Sequence, residues 1–215
     1  MNTKAIVLRV ALPLFLVLAS TASANLLVNP GFEDPSTDPG VEYFGAGNGW
    51  VTFGGGVFTI NDLVATPNSG SQSLKMFGGC CSGAYQDFPT TEGEVWNGGV
   101  WMFNNPADAM SNGQVAAVNI EWIQADGVTQ STILPFISNG TFTAVDAPVG
   151  EWTLQPISGA APADAAFARL TIITGDFLPG GPGGAPLYDD AFMAPEDPVS
   201  DTPNSFGKVK SLFNN

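Results

Sequence analysis

The side chains that could do chemistry in this 215-residue chain are few, and histidine is absent altogether. That absence removes the commonest general base, every Ser-His or Cys-His dyad, and histidine-ligated zinc. A carboxylate pair can still hydrolyse a glycoside. Glu121 with Glu151 or Asp87 would be the candidates, but nothing in their spacing singles them out, and Glu121 in NIEWIQ reads as a solvent-facing residue of an alternating strand. Glu33 follows a Pro-Gly turn near the start, and Asp189 and Asp190 interrupt the otherwise apolar LYDDAFM near the end. Adjacent strand residues point to opposite faces, so one of these aspartates is expected toward the interior or its edge. A buried lone carboxylate is costly unless paired or metal-bound. Either both aspartates face solvent at a sheet edge or a cation is the partner, and the cation is the better choice because Lys75 and Arg169 are the only basic residues in the body of the chain.

The two cysteines, Cys80 and Cys81, are neighbours in GGCCSG. Adjacent Cα atoms lie about 3.8 Å apart across a trans peptide, whereas disulfides prefer about 4.4–6.8 Å. A bond between them therefore closes a tight ring that staples nothing distant, and Gly78, Gly79 and Gly83 give the backbone the freedom such a ring needs. The expected product is a rigid, sulfur-faced bump; an intermolecular disulfide and a reduced, buried pair are the alternatives. Among the rings, Trp96 and Trp101 are five apart and so point to opposite faces, one to the core and one outward. Trp122 alternates with Val118 and Ile120, which suggests core, and Trp152 precedes a strand and suits an edge. Arg169 alternates with Phe167 and Thr171, opposite to Ala168, Leu170 and Ile172. It is expected on a sheet face, where its fork either grips hydroxyls or a carboxylate of a ligand or makes a plain salt bridge.

The elements that position these groups follow from composition. Lys4 and Arg9, the apolar run VALPLFLVLA and Ala22-Ser23-Ala24 have the order of a secretory signal peptide. The run is shorter than the roughly 20 residues that span a bilayer. Residues 1–24 are read as the leader, with a mature start at Asn25 and a secreted, extracellular or periplasmic location. The mature chain keeps four basic residues against 20 acidic ones, sixteen charges in excess. Such a field repels nucleic acid and anionic membranes and disfavours anionic polysaccharides. With 26 Gly and 17 Pro, short Val/Ile/Thr/aromatic runs alternate with turn clusters. Examples are NLLVN (25–29), GVFTIND (56–62), GAYQDF (83–88), EVWNGGVWMF (94–103), GQVAAVNIEWIQ (113–124), QSTILPFI (130–137), AFARLTII (166–173) and APLYDDAFM (185–193). This spacing predicts an all-β, two-sheet antiparallel sandwich, with a tight turn at ADG (125–127). One domain over 25–193 is expected, followed by a Pro/Asp/Ser-rich linker and short tail over 194–215.

A resemblance emerges from several pieces in order. NLLVNPGFEDP at the mature start, GSQSLKM (70–76), YQDFPTTEGEVW (85–96), IEWIQADG (120–127), Trp152 ahead of APADAAFARLTI (161–172), and LYDDAFM (187–193) together resemble the β-jelly-roll carbohydrate-binding modules of families four, nine and twenty-two. These belong to the broader galactose-binding-like sandwich. The resemblance spans Asn25 to Met193. It implies a structural calcium ion held by a carbonyl at Gly31, the Glu33 side chain, a carbonyl at Gln72, and Asp189. It also implies sugar recognition by aromatic platforms and a few polar groups. Tyr85, Gln86, Trp101, Asn119 and Arg169 are the candidate ligand contacts, with the Cys80–Cys81 bump packing on a sugar ring as an aromatic would.

The expected function is a secreted, non-catalytic, calcium-stabilised carbohydrate-binding protein whose partner is a neutral glycan. The alternatives are an extracellular matrix or surface protein that uses the fold for protein contacts, including self-association, and a small polysaccharide-active enzyme.

Overall fold

The computed structural model describes residues 24–62, 65–77, 81–111, 113–139, 142–177 and 183–196. The leader expected over 1–24, apart from Ala24, and the tail beyond Glu196 lie outside the described residues. Among the described residues there are twelve strands: β1 Glu42–Phe44, β2 Val51–Phe53, β3 Val57–Ile60, β4 Ser73–Met76, β5 Ser82–Pro89, β6 Val95–Phe103, β7 Gln114–Ile123, β8 Phe136–Ser138, β9 Phe142–Thr143, β10 Trp152–Ala160, β11 Phe167–Asp176 and β12 Leu187–Pro195. They form two antiparallel sheets. The first has the order β1-β3-β4-β12-β6-β10 and the second β2-β5-β11-β7-β8, with β9 also on β7. This is the two-sheet sandwich that the alternating pattern predicts.

Alternation explains which face each side chain takes. Ala116, Val118, Ile120 and Trp122 of β7 and Ala168, Leu170 and Ile172 of β11 are fully buried. They meet Trp96, Val100 and Met102 of β6 and Met193 of β12 in one core. Fully burying such side chains contributes roughly 1.5–3 kcal/mol each. Trp96 stacks on Phe88 and donates its Nε1 hydrogen to Thr90 Oγ1 at 2.8 Å. Tyr188 spans the core from the first sheet, its hydroxyl 2.6 Å from Thr174 Oγ1 in the second.

Three elements differ from the sequence expectation. NLLVN is not a strand, yet it is tied to β12: Leu26 N donates to the Met193 carbonyl at 2.9 Å, and Ala191 N to the Pro30 carbonyl at 2.9 Å. Within QSTILPFI only the end forms β8, because Asp164 captures the 131–132 segment through Ser131 and Thr132. The short strands β1 and β9 carry too few residues for a periodic signal. The ADG turn is present, with Gly127 at φ 75° and Asp126 accepting from the backbone of Val128 and Thr129.

Candidate functional site

Two arrangements concentrate the chemistry. The first is acidic and lies where the N-terminal segment meets β12. Asn29 and Phe32 take left-handed backbone conformations, at φ 52° and 58°. The turn drives Phe32 fully into the core against Trp50, with ring centroids 5.2 Å apart. Trp50 Nε1 in turn donates to the Asn29 carbonyl at 3.0 Å. Glu33 then projects toward residues 70–72 and accepts from Ser71 N, Ser71 Oγ and Gln72 N at 2.7–2.9 Å. Gly70, at φ 63°, packs so closely on the Glu33 carboxylate that a Cβ there would collide with it.

Adjacent aspartates were expected on opposite faces of β12, and the structure corrects this. A register shift between Asp189 and Phe192, with Asp190 at φ 46°, turns both carboxylates toward the 68–69 loop. Asp189 accepts from Ser69 N at 3.0 Å and Asp190 N at 2.7 Å; Asp190 accepts from Asn68 Nδ2 and Ser69 Oγ. A Cβ on Gly31 would lie 3.6–3.8 Å from Asp190 Oδ1, Asp189 Oδ1 and Glu33 Cγ, so three acidic residues surround this glycine. Asp189 is fully buried, and burial pushes its pKa up to about 7, with the charge of Asp190 adding to the rise. The only basic side chains among the described residues are Lys75 and Arg169, and they pair with Glu42 and Asp87.

The donor set here, hard oxygens with no cationic side chain in reach, suits a calcium-class ion. Among the described residues, however, no three acidic side chains close on a single point, so backbone carbonyls would have to complete a shell. The side chain of Gln72 is committed elsewhere. It accepts from Thr37 N and Oγ1 and donates to the Phe32 and Pro35 carbonyls, which locks the 32–37 loop. Only its backbone remains for a ligand role.

The second arrangement is the outer face of the second sheet. In register across it, Val51, Tyr85, Thr171, Asn119 and Ser138 form one row, and Asp87, Arg169, Glu121 and Phe136 the next. Phe53, Gly83, Ile173 and Ala117 form a third. Small buried residues, Gly83, Thr171 and Ala117, make the floor of this face, with the Phe53 ring lying over Gly83. The Arg169 guanidinium carbon lies 3.9 Å from the Tyr85 ring centroid. Its Nε and Nη2 grip Asp87 at 2.6 and 3.0 Å, and Nη2 also donates to the Gly127 carbonyl at 3.3 Å. Burial alone would lower the Arg169 pKa, but the hydrogen bond and charge of Asp87 outweigh it and raise it. In the floor, Thr171 Oγ1 and Asn119 Oδ1, on directly paired residues, are shielded from solvent and have no hydrogen-bond partner.

The structure therefore gathers Tyr85, Asn119 and Arg169 on one face. Cys81 joins them at the end of β5, its Cβ 3.0 Å from where a Gly175 Cβ would sit. Cys80, and with it the Cys80–Cys81 ring, lies outside the described residues. Two expected contacts do not belong to the face. Gln86 points inward and is 6% exposed; its amide accepts from Val28 N and donates to the Val28 carbonyl, pinning the N-terminal segment. Trp101 points outward, as one of the Trp96/Trp101 pair must, but from the first sheet, opposite Leu154 and Asp189. Thr171 and Phe53 were missed as site residues. The alternation that placed Arg169 outward also placed Thr171 there.

No protein-family model matches the sequence, and no curated protein resembles it in sequence. Solved structures share the fold. The chain is similar to the enzymatically active domain of tailspike protein 4 from bacteriophage CBA120, with a TM-score of 0.52 at 16% identity, over 80% of this chain and 21% of that one. It is similar to an arabinose-bound α-L-arabinofuranosidase, MgGH51, with a TM-score of 0.55 at 16% identity, over 80% of this chain and 26% of that one. A third likeness is to TmCBM61 in complex with β-1,4-galactotriose, with a TM-score of 0.49 at 17% identity, over 81% of this chain and 100% of that one. The chain thus spans about a fifth to a quarter of the first two proteins. The likenesses to the first two show the fold alone, a two-sheet antiparallel β-sandwich.

Proposed function

We propose that this protein is a secreted, non-catalytic carbohydrate-binding protein that takes a neutral glycan on the outer face of the second sheet and is stabilised by calcium. The observation that carries this reading is the convergence of Tyr85, Asn119 and Arg169, from β5, β7 and β11, with Cys81 just ahead of β5, on one sheet face that also carries the rings of Phe53 and Phe136. Such rings match the C–H faces of a pyranose. Asp87 offers acceptor oxygens, and Arg169, held over the Tyr85 ring, is already positioned. A ligand hydroxyl that reaches Thr171 and Asn119 would satisfy two atoms that lack partners, each worth about 1–3 kcal/mol. Asp87 and Glu121 flank Arg169 in one row. With Asp87 bound by the Arg169 fork, Glu121 lacks a free carboxylate partner in this row, which supports binding over hydrolysis.

For calcium, the residues that would hold the ion are Gly31 and Gln72 through carbonyls, and Glu33 and Asp189 through carboxylates. The bound ion would supply positive charge between the N-terminal turn and β12. The chain's own part is to bring those oxygens together, which the Gln72 amide does by fixing the loop after Glu33. Ion binding to the folded state alone adds to stability.

The test is a glycan array followed by calorimetry on the best ligand. Tyr85→Ala and Arg169→Lys are expected to weaken binding at least tenfold with the circular dichroism spectrum retained, while Trp101→Ala, on the other sheet, leaves affinity unchanged. Loss on Trp101→Ala alone would move the site to the first sheet. A second reading, protein contact, is favoured by the ring ladder Phe44–Phe58–Phe77 on the first sheet, with centroids 5.4–5.5 Å apart and Phe44 62% exposed. Sedimentation showing self-association abolished by Phe44→Ser, with no glycan bound, would support that reading instead.

A further inference from the structure

At the end of the sandwich where β7 begins and β11 ends, two acceptor oxygens lack a donor. Gln114 and Asp176 are directly paired in register, which places their Cβ atoms about 4.5–5.5 Å apart. Both continue the inward-facing series of Ala116, Val118 and Thr174, so their side chains leave the inner face of the second sheet. Gln114 is 0% exposed. Its Nε2 donates to the Gly184 carbonyl at 2.5 Å, which fixes the amide with Oε1 as the other end, and that oxygen has no partner. Flipping the amide would set its oxygen against the Gly184 carbonyl, acceptor against acceptor. Asp176 Oδ1 is likewise shielded and without a partner.

Among the described residues, neither oxygen has a donor. The Tyr188 and Thr174 hydroxyls are engaged with each other and with the Ile173 carbonyl. Lys75 and Arg169 are paired elsewhere. The wall beside Gln114 is backbone: a Cβ on Gly183 would strike Gln114 Oε1, and one on Gly184 would strike the Asp108 and Ala109 carbonyls. The surroundings are thus oxygen-rich, and the protein as a whole is strongly negative.

We propose that Gln114 Oε1 and Asp176 Oδ1 form a second cation site, taking a hard ion of the calcium class. It shares no residue with the cluster at Asp189, which lies opposite Trp101 in the other sheet, and it does not depend on that cluster binding metal.

The experiment is equilibrium dialysis of the chelator-stripped mature chain, residues 25–215, against radiolabelled calcium. Two ions per chain are expected, with Asp176→Asn and Gln114→Leu each losing one and Asp189→Asn losing the other. If Asp176→Asn and Gln114→Leu bind as many ions as the parent, the proposal is overturned, whatever Asp189→Asn does. If the parent binds a single ion that Asp176→Asn and Gln114→Leu abolish and Asp189→Asn does not, this proposal stands and the Asp189 site falls. A parent that binds none sinks both. Gln114→Glu guards against misfolding of the other variants. With a cation site it should bind that ion at least tenfold more tightly and gain a calcium-dependent rise in melting temperature. If only water bridges the two oxygens, Gln114→Glu sets two carboxylates face to face and melts lower, with no rescue by calcium.

Discussion

Asp189 holds a carboxyl group where water cannot reach it, and that has a measurable consequence. Its folded pKa, raised to about 7 by burial and by Asp190, exceeds the ordinary value of 3.8. Below pH 3.8 both folded and unfolded chains hold the proton. Between there and about pH 7 the unfolded chain ionises while the folded one does not, so stability falls as pH rises. The loss is complete above pH 7 and is on the order of 4 kcal/mol. Asp126 and Asp164 have lowered values, from the hydrogen bonds of Thr129 and Ser131 above all. They lose stability only at more acidic pH, so the window from pH 4.5 to 7.5 isolates Asp189. In EDTA the melting temperature is expected to fall across that window. With millimolar calcium it should stay flat, because the ion takes the place of the proton. A profile indifferent to calcium would remove the metal from this cluster. Of the two expectations for Arg169, the salt bridge is present: a bidentate pair with Asp87 holds the guanidinium over the Tyr85 ring.

At the scale of elements, long strands were legible and short or irregular ones were not. The stretch from Val118 to Trp122 alternates, and both the orientation of Trp122 and the outward face of Arg169 follow from that period. Period alone also separates Gln86 from Tyr85, since neighbours on β5 cannot share a face. What period cannot say is which sheet a strand joins, and this is why Trp101 and Tyr85, both outward-facing, end on opposite sides of the molecule. The break in β12 was also hidden, because a non-glycine residue with positive φ at Asp190 leaves no mark in composition. The acidic residues themselves were legible, since a carboxylate pair inside an apolar strand demands a partner. The 32–37 loop depends on one amide. Gln72→Leu keeps the volume and removes every bond the side chain makes to Thr37, Phe32 and Pro35. A loss of about 3 kcal/mol is expected, read as a lower urea midpoint with unchanged slope, together with weaker calcium binding. An unchanged midpoint would mean that the loop holds itself.

At the scale of the whole molecule, charge and connectivity dominate. With 20 acidic against six basic residues, a formal net charge of −14, self-repulsion opposes compactness and is screened by salt. Raising sodium chloride from about 10 mM to about 150 mM should raise the melting temperature of the EDTA-treated protein by several degrees, and by less when calcium is present. A drop on adding salt would show that specific ion pairs outweigh the general field.

The same connectivity sets how the sandwich joins to anything else. Because Leu26 is bonded to Met193 and the Asn25 amide clasps the backbone at Ala191 and Met193, the polypeptide enters and leaves the body at neighbouring points. A unit built this way behaves as a cassette: it can be spliced into the loop of a host protein without prising that loop apart, and the outer face that carries Tyr85 and Arg169, on the other sheet, stays clear of the splice.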